Sequence, residues 1–395
     1  MITGLRRSGK SFLLFNLYYQ HLLSVGVPED RIIRIALDDE VNEHLRDRQE
    51  LGSYVRQHIT DEGDWYVFLD EVQLVAQFEK VLNGLNRMPN LDIYVTGSNS
   101  KFLSTDILTE FRGRGDEIRV FPLSFSEYRS AFPGSVQEAW KEYFTYGGLP
   151  QILTRKSDES KSQYLKTLLS TTYLVDVIER NNVENEAAME DVLDVLASSI
   201  GSLTNPNKIA NTFKSKGNNT ASDKTVRSYI EHLMDAFIID RATRYNVKGR
   251  KYIGSPYKYY FTDVGLRNAR LNFRQQEENH IMENILYNEL LIRGYNVDVG
   301  VVEVVGKDEG GKSVRKQHEI DFICNKASQR FYIQSAFSMH SEEKRMQEEA
   351  SLRRIDDSFT KMIVVKDDIK PWHNEAGILM VGLMDFLLHP ESVSF

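Results

Sequence analysis

The segment GLRRSGKS, at residues 4–11, constrains this chain more than any other feature of its sequence. It has the form G-x-x-x-x-G-K-S, in which a turn framed by two glycines is followed directly by lysine and serine. The next residues, 12–23, are mostly apolar, have helical spacing and contain neither proline nor glycine. A β-branched run, RIIRIAL, follows at residues 31–37. A glycine-rich turn that enters a helix and leads to a buried strand predicts an α/β fold.

The turn has the composition of a phosphate-binding loop. In such a loop the backbone N–H groups at the start of the helix hold phosphate oxygens. The lysine reaches the β- and γ-phosphates, and the serine hydroxyl contacts Mg²⁺. We therefore predict that ATP and Mg²⁺ bind here, with the nucleotide held by Gly4, Leu5, Arg6, Arg7, Ser8, Gly9, Lys10, Ser11 and Phe12.

A second apolar run, WYVFLDE at residues 65–71, ends in two acids. It is typical of a central parallel strand, which delivers such residues to the ligand-binding edge of an open α/β sheet. We predict that Asp70 and Ser11 are the magnesium-binding residues and that Glu71 is the general base for the attacking water. The alternative is a core strand that happens to end in two solvated acids.

A third strand is predicted in LDIYVTGSNS, residues 91–100. In the additional-strand class of P-loop ATPases this strand lies between the P-loop strand and the strand with the two acids. Its polar end senses the γ-phosphate, and Ser98 or Asn99 is the candidate here. Glycine, serine and asparagine also form ordinary turns, which is the alternative.

Two arginines, Arg112 and Arg114, lie in the glycine-rich loop that follows. We predict that Arg114 stabilises charge on the transferred phosphoryl group, either in its own chain or in a neighbouring copy of a homo-oligomer. A solvated loop, or an arginine paired with Glu110 or Asp116, is equally compatible with the sequence.

Taken together, these segments resemble one family, the prokaryotic AAA-superfamily ATPases that pair an AAA_14 domain with a DUF4143 domain. The matching segments are TGLRRSGKS, FLDEVQ, YVTGSNS, GRGDEIRVFPLSFSEY and YGGLP. Family members usually carry a few dozen residues, including the first strand, before the P-loop, whereas only residues 1–3 precede it here. A typical strand has about 5–6 residues. We therefore expect either an upstream segment that the sequence lacks, which we favour, or a sheet that accepts a very short strand.

The length of 395 residues predicts two or three domains. We place a P-loop ATPase domain at residues 1–150, a helical and winged-helix domain at 151–275 and a nuclease-like domain at 276–395. No signal peptide and no apolar run near 18 residues is present, so we expect a cytoplasmic protein with no membrane partner. The single cysteine, Cys324, excludes an intramolecular disulfide and a thiolate zinc site.

Positive charge is concentrated in residues 201–274, which hold fourteen basic and five acidic residues in a chain of net charge −8. Two helical patterns, at residues 205–217 and 222–240, are followed by two short strand patterns, which together predict a winged helix-turn-helix. Lys224 and Arg227 lie off the apolar stripe of the second helix. We predict DNA as a partner of this segment; packing or protein contacts are the alternative use of such a fold.

The last third resembles the PD-(D/E)xK nuclease fold. A helix glutamate, Glu283, a strand aspartate, Asp321, and Gln334 match that pattern, but Ala336 stands where the catalytic lysine belongs. Two carboxylates and an amide hold Mg²⁺ poorly. We therefore predict a degenerate fold that binds or packs, although Lys326 or Lys344 would be candidates for a lysine that has moved.

Three functions follow from these patterns. The first is an ATPase coupled to a DNA- or protein-binding module, which we favour. The second is a nuclease gated by nucleotide, and the third is an interaction protein that binds nucleotide without hydrolysing it.

Overall fold

The computed structural model describes residues 1–97, 115–215, 221–274, 277–307, 313–339 and 341–394. The chain forms two compact units. The first unit contains Met1–Pro122 together with Met234–Phe237, and the second contains Leu123–Leu233 together with Ile238–Phe395.

The strands of the first unit follow a P-loop order. They are β1 (Ile2–Thr3), β2 (Ile32–Ala36), β3 (Trp65–Asp70), β4 (Leu91–Val95) and β5 (Ile118–Arg119). Strands β2, β3 and β4 pair in parallel, and β1 pairs in parallel with β5. A parallel bridge between Ile2 and Thr96 links β1 to the end of β4. The order is therefore β2-β3-β4-β1-β5, so β4 lies between the P-loop strand and the strand with the two acids, as predicted.

The two-residue strand β1 has backbone partners on both sides. The Ile2 carbonyl accepts a hydrogen bond from the N–H of Gly97 at 3.1 Å. On the other side, the Met1 and Thr3 carbonyls accept from Ile118 and Val120, each at 2.8 Å. Buried backbone polar groups are costly unless they are paired. These bonds show how so short a strand is held between its neighbours.

Alternating side chains of this sheet face two separate cores. Ile32 and Phe68 pack with Leu14 and Leu22 on one face. That face is covered by the consecutive helical segments α1 (Lys10–Phe12), a π-helical turn (Leu13–Tyr18) and α2 (Tyr19–Ser24). Ile33, Ile35, Val67 and Leu69 face the other core, which is covered by α3 (Arg48–His58) and α4 (Phe78–Leu85). The period of two along each strand explains this division.

The second unit contains the remaining helices. They are α5 (Phe125–Ala131), α6 (Val136–Tyr146), α7 (Asp158–Thr167), α8 (Val175–Asn181), α9 (Glu186–Ser198), α10 (Pro206–Ser215), α11 (Asp223–Asp235), α12 (Val264–Arg270), α13 (Glu278–Ile292), α14 (Glu342–Leu352) and α15 (Leu383–Leu388). Met234 and Asp235, at the end of α11, fall in the first unit. Serine side chains cap α5 and α6 at Ser124 and Ser135, each in a reciprocal capping box. No helix in the described ranges combines the length and apolarity needed to cross a bilayer.

An eight-stranded mixed sheet forms the other half of this unit. Its strands are β6 (Ile239–Asn246), β7 (Lys251–Phe261), β8 (Asn296–Lys307), β9 (Ser313–Lys326), β10 (Gln329–Ala336), β11 (Thr360–Val365), β12 (Trp372–His373) and β13 (Leu379–Gly382). They lie in the order β12-β13-β11-β10-β9-β8-β6-β7.

The two strands that the sequence assigns to a wing belong to this sheet. Strand β6 pairs with β7 in an antiparallel hairpin and with β8 in parallel, through the register Arg244–Val299 to Asn246–Val301. Strands on either side of the expected boundary at residue 275 therefore share one sheet. The winged-helix and nuclease-like assignments, and the three-domain division, stay predictions.

Candidate functional site

The P-loop backbone depends on its glycines. Gly4 has a φ of +131°, and a Cβ built on it would lie 2.1 Å from the carbonyl oxygen of Val120. Gly9 has a φ of +104° and is the N-cap residue directly before α1. Arg7 also adopts a positive φ, of 66°. A left-handed backbone favours glycine, and no side chain fits between Gly4 and Val120. Both glycines of the motif are therefore required by the backbone geometry of the loop.

Lys10 is turned back onto the loop. Its ammonium donates hydrogen bonds to the carbonyl oxygens of Gly4 and Leu5, each at 3.0 Å. Burial lowers the pKa of Lys10 to about 8, while the charges of Glu71 and Asp70 act in the opposite direction. The lysine is therefore a buried cation that interacts electrostatically with both acids.

The loop also contains a buried hydroxyl without a protein partner. Among the described residues, Ser8 Oγ is buried and forms no hydrogen bond. Such an atom normally has a partner, so an oxygen-rich ligand beside the loop fits this donor. Arg7, Ser11 and Phe12 are exposed, Arg6 is half-buried, and Leu5 is buried in the interior.

Asp70 ends β3 and is held by a residue that follows β4. The hydroxyl of Thr96, which is fully buried, donates a hydrogen bond to Asp70 Oδ1. The Thr96 hydroxyl oxygen in turn accepts a hydrogen bond from the backbone N–H of Glu71 at 3.1 Å. Because β3 and β4 are adjacent and parallel, their carboxyl ends meet at one edge of the sheet. Thr96 is thus the contact that positions the acid pair.

Glu71 sits in a left-handed turn directly after the strand, with a φ of 53°. Its carboxylate accepts a hydrogen bond from Gln73 Nε2. Sequence reasoning missed both Gln73 and Thr96. The signals were present, because Gln73 closes the quoted motif FLDEVQ and Thr96 is the first polar residue after the strand LDIYV.

The other predicted catalytic residues cannot be described in the same way. Ser98, Asn99 and Arg114 lie outside the described residues, as does Arg112. Their assignment as sensor and arginine finger stays a prediction.

Among the basic residues of segment 201–274 that the structure describes, four are directed into the second unit. Lys258, Arg244 and Arg267 are buried. Arg267 pairs with Glu277 at 3.5 Å, and Arg270 pairs with Glu190 at 3.1 Å and with Asp194. These partners lie outside the segment in sequence, so its formal positive charge overstates the charge on its surface.

Lys258 lies in a cluster of carboxylates that the sequence analysis did not foresee. Its Nζ is 2.7 Å from Glu319 Oε1, 2.8 Å from Glu283 Oε1 and 3.6 Å from Asp321 Oδ1. The hydroxyl of Tyr260 donates to the same Glu283 oxygen at 2.6 Å. We call Lys258, Glu283, Glu319 and Asp321 the ion cluster.

The electrostatics of the ion cluster follow from its burial. Burial and the charge of Glu283 raise the pKa of Asp321 to about 7, against the stabilising charge of Lys258 and a hydrogen bond from the Ser335 N–H. Burial alone would lower the pKa of Lys258, but Glu283, Asp321 and Glu319 outweigh it and raise that pKa. The three acids therefore favour the charged form of this lysine.

The lysines named as substitutes for Ala336 lie elsewhere. Lys326 donates to the Arg293 carbonyl oxygen at 2.7 Å, and Lys344 pairs with Glu348 at 2.9 Å. Gln334 donates to Glu348 at 3.3 Å, and Ala336 is buried in the core. An amine does reach Glu283 and Asp321, but it is that of Lys258 on β7. One signal in the sequence could have indicated this residue, because Lys258 is a lone lysine within the aromatic run YKYYF. In the described part of the chain, no group of acids, histidines or cysteines is arranged to hold a metal ion.

Comparison with protein families identifies the N-terminal part. Residues 1–129 match the family AAA_14, described as an AAA domain. Residues 137–277 match a domain of unknown function, DUF8612. The AAA assignment made from the motifs is confirmed, whereas the expected pairing with DUF4143 is not, because the second matching family is a different one.

Individual proteins similar to this chain come from bacteria and archaea. An uncharacterized protein of Haemophilus influenzae is 31% identical over 395 residues, which cover 98% of this chain and 94% of that protein. The uncharacterized protein MJ1544 of Methanocaldococcus jannaschii is 27% identical over 339 residues, which cover 82% of this chain and 71% of that protein. Among solved structures, the Walker-type ATPase PABY2304 of Pyrococcus abyssi is 16% identical, with a TM-score of 0.46 over 68% of this chain and 90% of that one.

Proposed function

We propose that this chain, which belongs to the same family as its Haemophilus influenzae relative and matches an AAA domain over residues 1–129, binds ATP with Mg²⁺ and hydrolyses it. The observation that carries the proposal is the position of Lys10. Its buried ammonium rests on two carbonyls of the P-loop and interacts electrostatically with Asp70 and Glu71. An AAA domain with these three groups at one sheet edge has the parts that phosphoryl transfer requires.

Each residue of this site has a proposed role. Lys10 leaves the loop carbonyls and pairs with the β- and γ-phosphates, while Ser8 Oγ gains a polar partner beside the loop. Ser11 and Asp70 are the residues that would hold Mg²⁺, whose chemistry is to offset negative charge on the phosphates. Glu71 accepts the proton of the attacking water, and Gln73 orients the Glu71 carboxylate through the hydrogen bond between them.

Nucleotide titration tests the proposal directly. We expect Lys10→Ala to lose most of the affinity for a fluorescent ATP analogue. Arg129→Ala, which changes a cation of the second unit, is the matched control and should bind like the wild type. Equal affinity of Lys10→Ala and the wild type would reject the site assignment.

Contact with DNA through α11 and the β6–β7 turn is a second, finer proposal. Lys224 and Arg227 on α11 are exposed, as are Lys248, Arg250 and Lys251 at the turn. None of these five side chains is among those drawn into the interior. Their exposure supports a surface that contacts phosphate groups. The positive charge of this surface is smaller than the formal charge of the segment suggests.

For the C-terminal part, we propose a nuclease-like fold without nuclease activity. The two expected carboxylates, Glu283 and Asp321, lie together, but both interact with Lys258. A nucleotide-gated nuclease remains the rival proposal, and cleavage of DNA by the purified chain distinguishes the two.

A further inference from the structure

The ion cluster brings together residues from three elements of the second unit. Lys258 comes from β7, Glu283 from α13, and Glu319 and Asp321 from β9. The ammonium contacts two of the carboxylates at hydrogen-bond distance and lies 3.6 Å from the third. Carboxylate oxygens are also the ligands that hard divalent cations prefer, but here the positive centre that they surround is the lysine ammonium.

Burial makes this arrangement energetically demanding. The side chain of Lys258 is 3% exposed, and those of Asp321 and Glu283 are 10% and 11% exposed. A buried charge is tolerated only when it is paired and hydrogen-bonded, and removal of one partner leaves the others uncompensated. The carboxylates therefore need a positive charge at this point, and Lys258 is the cation that the structure places there.

The surroundings leave the ammonium little freedom to move away. Tyr260 donates to Glu283, and the backbone N–H of Ser335 donates to Asp321 at 2.9 Å, so both acids are held in place. Gly201 lies against the same group, since a Cβ there would come 3.1 Å from Glu283 Oε2. Tyr260, the Ser335 N–H and this glycine thus hold Glu283 and Asp321 beside the lysine, whereas the side chain of Glu319 is 36% exposed.

We infer that the Lys258 ammonium is the built-in cation of the ion cluster, occupying the point at which a divalent cation would otherwise bind and excluding such ions from it. Two positive charges cannot share one set of carboxylate oxygens without strong repulsion at this burial. The lysine is tethered by its own backbone, so a dissolved cation has to displace a group that cannot diffuse away. This inference concerns the second unit and does not depend on nucleotide binding.

A lysine without its charge should convert the cluster into a divalent-cation site. Lys258→Met keeps much of the side-chain volume and removes the ammonium. The variant is expected to have a lower Tm than the wild type in the presence of a chelator. Millimolar Mn²⁺ should restore most of that difference, because the carboxylate oxygens then surround the metal ion instead.

The experiment uses the full chain without nucleotide and compares Mn²⁺ binding by calorimetry with thermal unfolding. We expect Lys258→Met to bind one more Mn²⁺ than the wild type, and Lys258→Met/Asp321→Asn to lose that additional ion. Lys366→Met is the matched control, because Lys366 is an exposed lysine that pairs with a single acid, Glu278, at 2.8 Å. It should bind Mn²⁺ like the wild type.

Two results would overturn the inference. The first is a folded Lys258→Met variant that gains neither Mn²⁺ binding nor Mn²⁺-dependent stability. The second concerns Glu319→Gln, the variant to be used if Lys258→Met does not fold. Glu319 is the most exposed of the three acids, so its replacement is expected to disturb folding least. Equal Mn²⁺ binding by Glu319→Gln and the wild type supports the built-in cation, whereas a loss shows that metal already binds beside the lysine.

Discussion

Thr96 holds Asp70 in place: its buried hydroxyl donates to the Asp70 carboxylate and accepts the N–H of Glu71 at 3.1 Å. Asp70, the proposed magnesium ligand, and Glu71, the proposed base, are therefore both hydrogen-bonded to one side chain at the end of the neighbouring strand. The backbone N–H of Thr96 is itself bonded to the Leu69 carbonyl at 2.9 Å, which ties the contact to the sheet.

Replacement of Thr96 by valine should reduce both stability and ATP hydrolysis. The substitution keeps the shape but leaves a buried carboxylate oxygen without its donor, which costs about 1–3 kcal/mol. We expect kcat to fall and the Mg²⁺ concentration for half-maximal activity to rise, since Asp70 is no longer oriented. Thr96→Ser, which retains the hydroxyl, should remain close to the wild type; the same Mg²⁺ dependence in valine and wild-type proteins would argue against a positioning role.

Glu71→Gln should separate binding from turnover. The amide has the shape of the acid but cannot accept the proton of water, and loss of such a base typically costs about 10²–10⁴-fold in rate. ATP affinity should stay within a few-fold of the wild type, whereas Asp70→Asn should weaken the Mg²⁺-dependent part of binding. Steady-state phosphate release together with nucleotide titration measures both. Wild-type turnover by Glu71→Gln would mean that another group activates the water.

Nucleotide affinity should decrease as the pH rises above about 8. Burial holds the pKa of Lys10 at about 8 in the nucleotide-free protein. Below this pH the lysine is already charged, and above it binding must take up a proton, because the phosphates require the ammonium. The dissociation constant should then rise by up to about tenfold per pH unit. Nucleotide titrations between about pH 7 and about pH 10 test this prediction. Lys10→Arg is the control, because its guanidinium stays charged and its dissociation constant should not change with pH. A wild-type dissociation constant that is also independent of pH would contradict the prediction.

Charge reversal on α11 should weaken DNA binding in a salt-dependent manner. Lys224→Glu/Arg227→Glu removes two proposed phosphate contacts, so the slope of log affinity against log salt should become shallower by about two. Lys366→Glu, a charge reversal at one exposed lysine outside segment 201–274, should keep the wild-type slope. Fluorescence anisotropy with duplex DNA at several salt concentrations is the measurement. If wild-type protein fails to bind even at low salt, the packing interpretation of these helices stands.

The C-terminal part should not cleave DNA. Lys258 neutralises part of the charge of Glu283 and Asp321, and we infer that its ammonium occupies the point between them at which a metal ion would bind. Single-stranded, duplex and branched DNA are incubated with Mg²⁺ or Mn²⁺, with and without ATP. Cleavage that disappears in Asp321→Ala would favour the nucleotide-gated nuclease instead.

Short local patterns were sufficient to predict the architecture of the first unit. The P-loop and the strand that ends in Asp70 and Glu71 are contiguous in sequence, and their residue types reflect constraints that act within one turn or one strand. The order of the strands followed from the same patterns and the class they indicate. The two-residue strand β1 was harder to predict. It is held by hydrogen bonds to its carbonyl oxygens on both sides, and the donors lie about a hundred residues away in the sequence.

What the sequence by itself determined was the AAA domain, the α/β class and the P-loop that begins at Gly4. Tertiary structure alone decided which side chains stand against one another. Thr96 reaches Asp70 only because β3 and β4 are neighbours, and Lys258 reaches Glu319 and Asp321 only because β7, α13 and β9 meet in the second unit. A lysine counted from sequence as surface charge became a buried cation, because the free energy of a charge depends on what surrounds it in space, which no local pattern records.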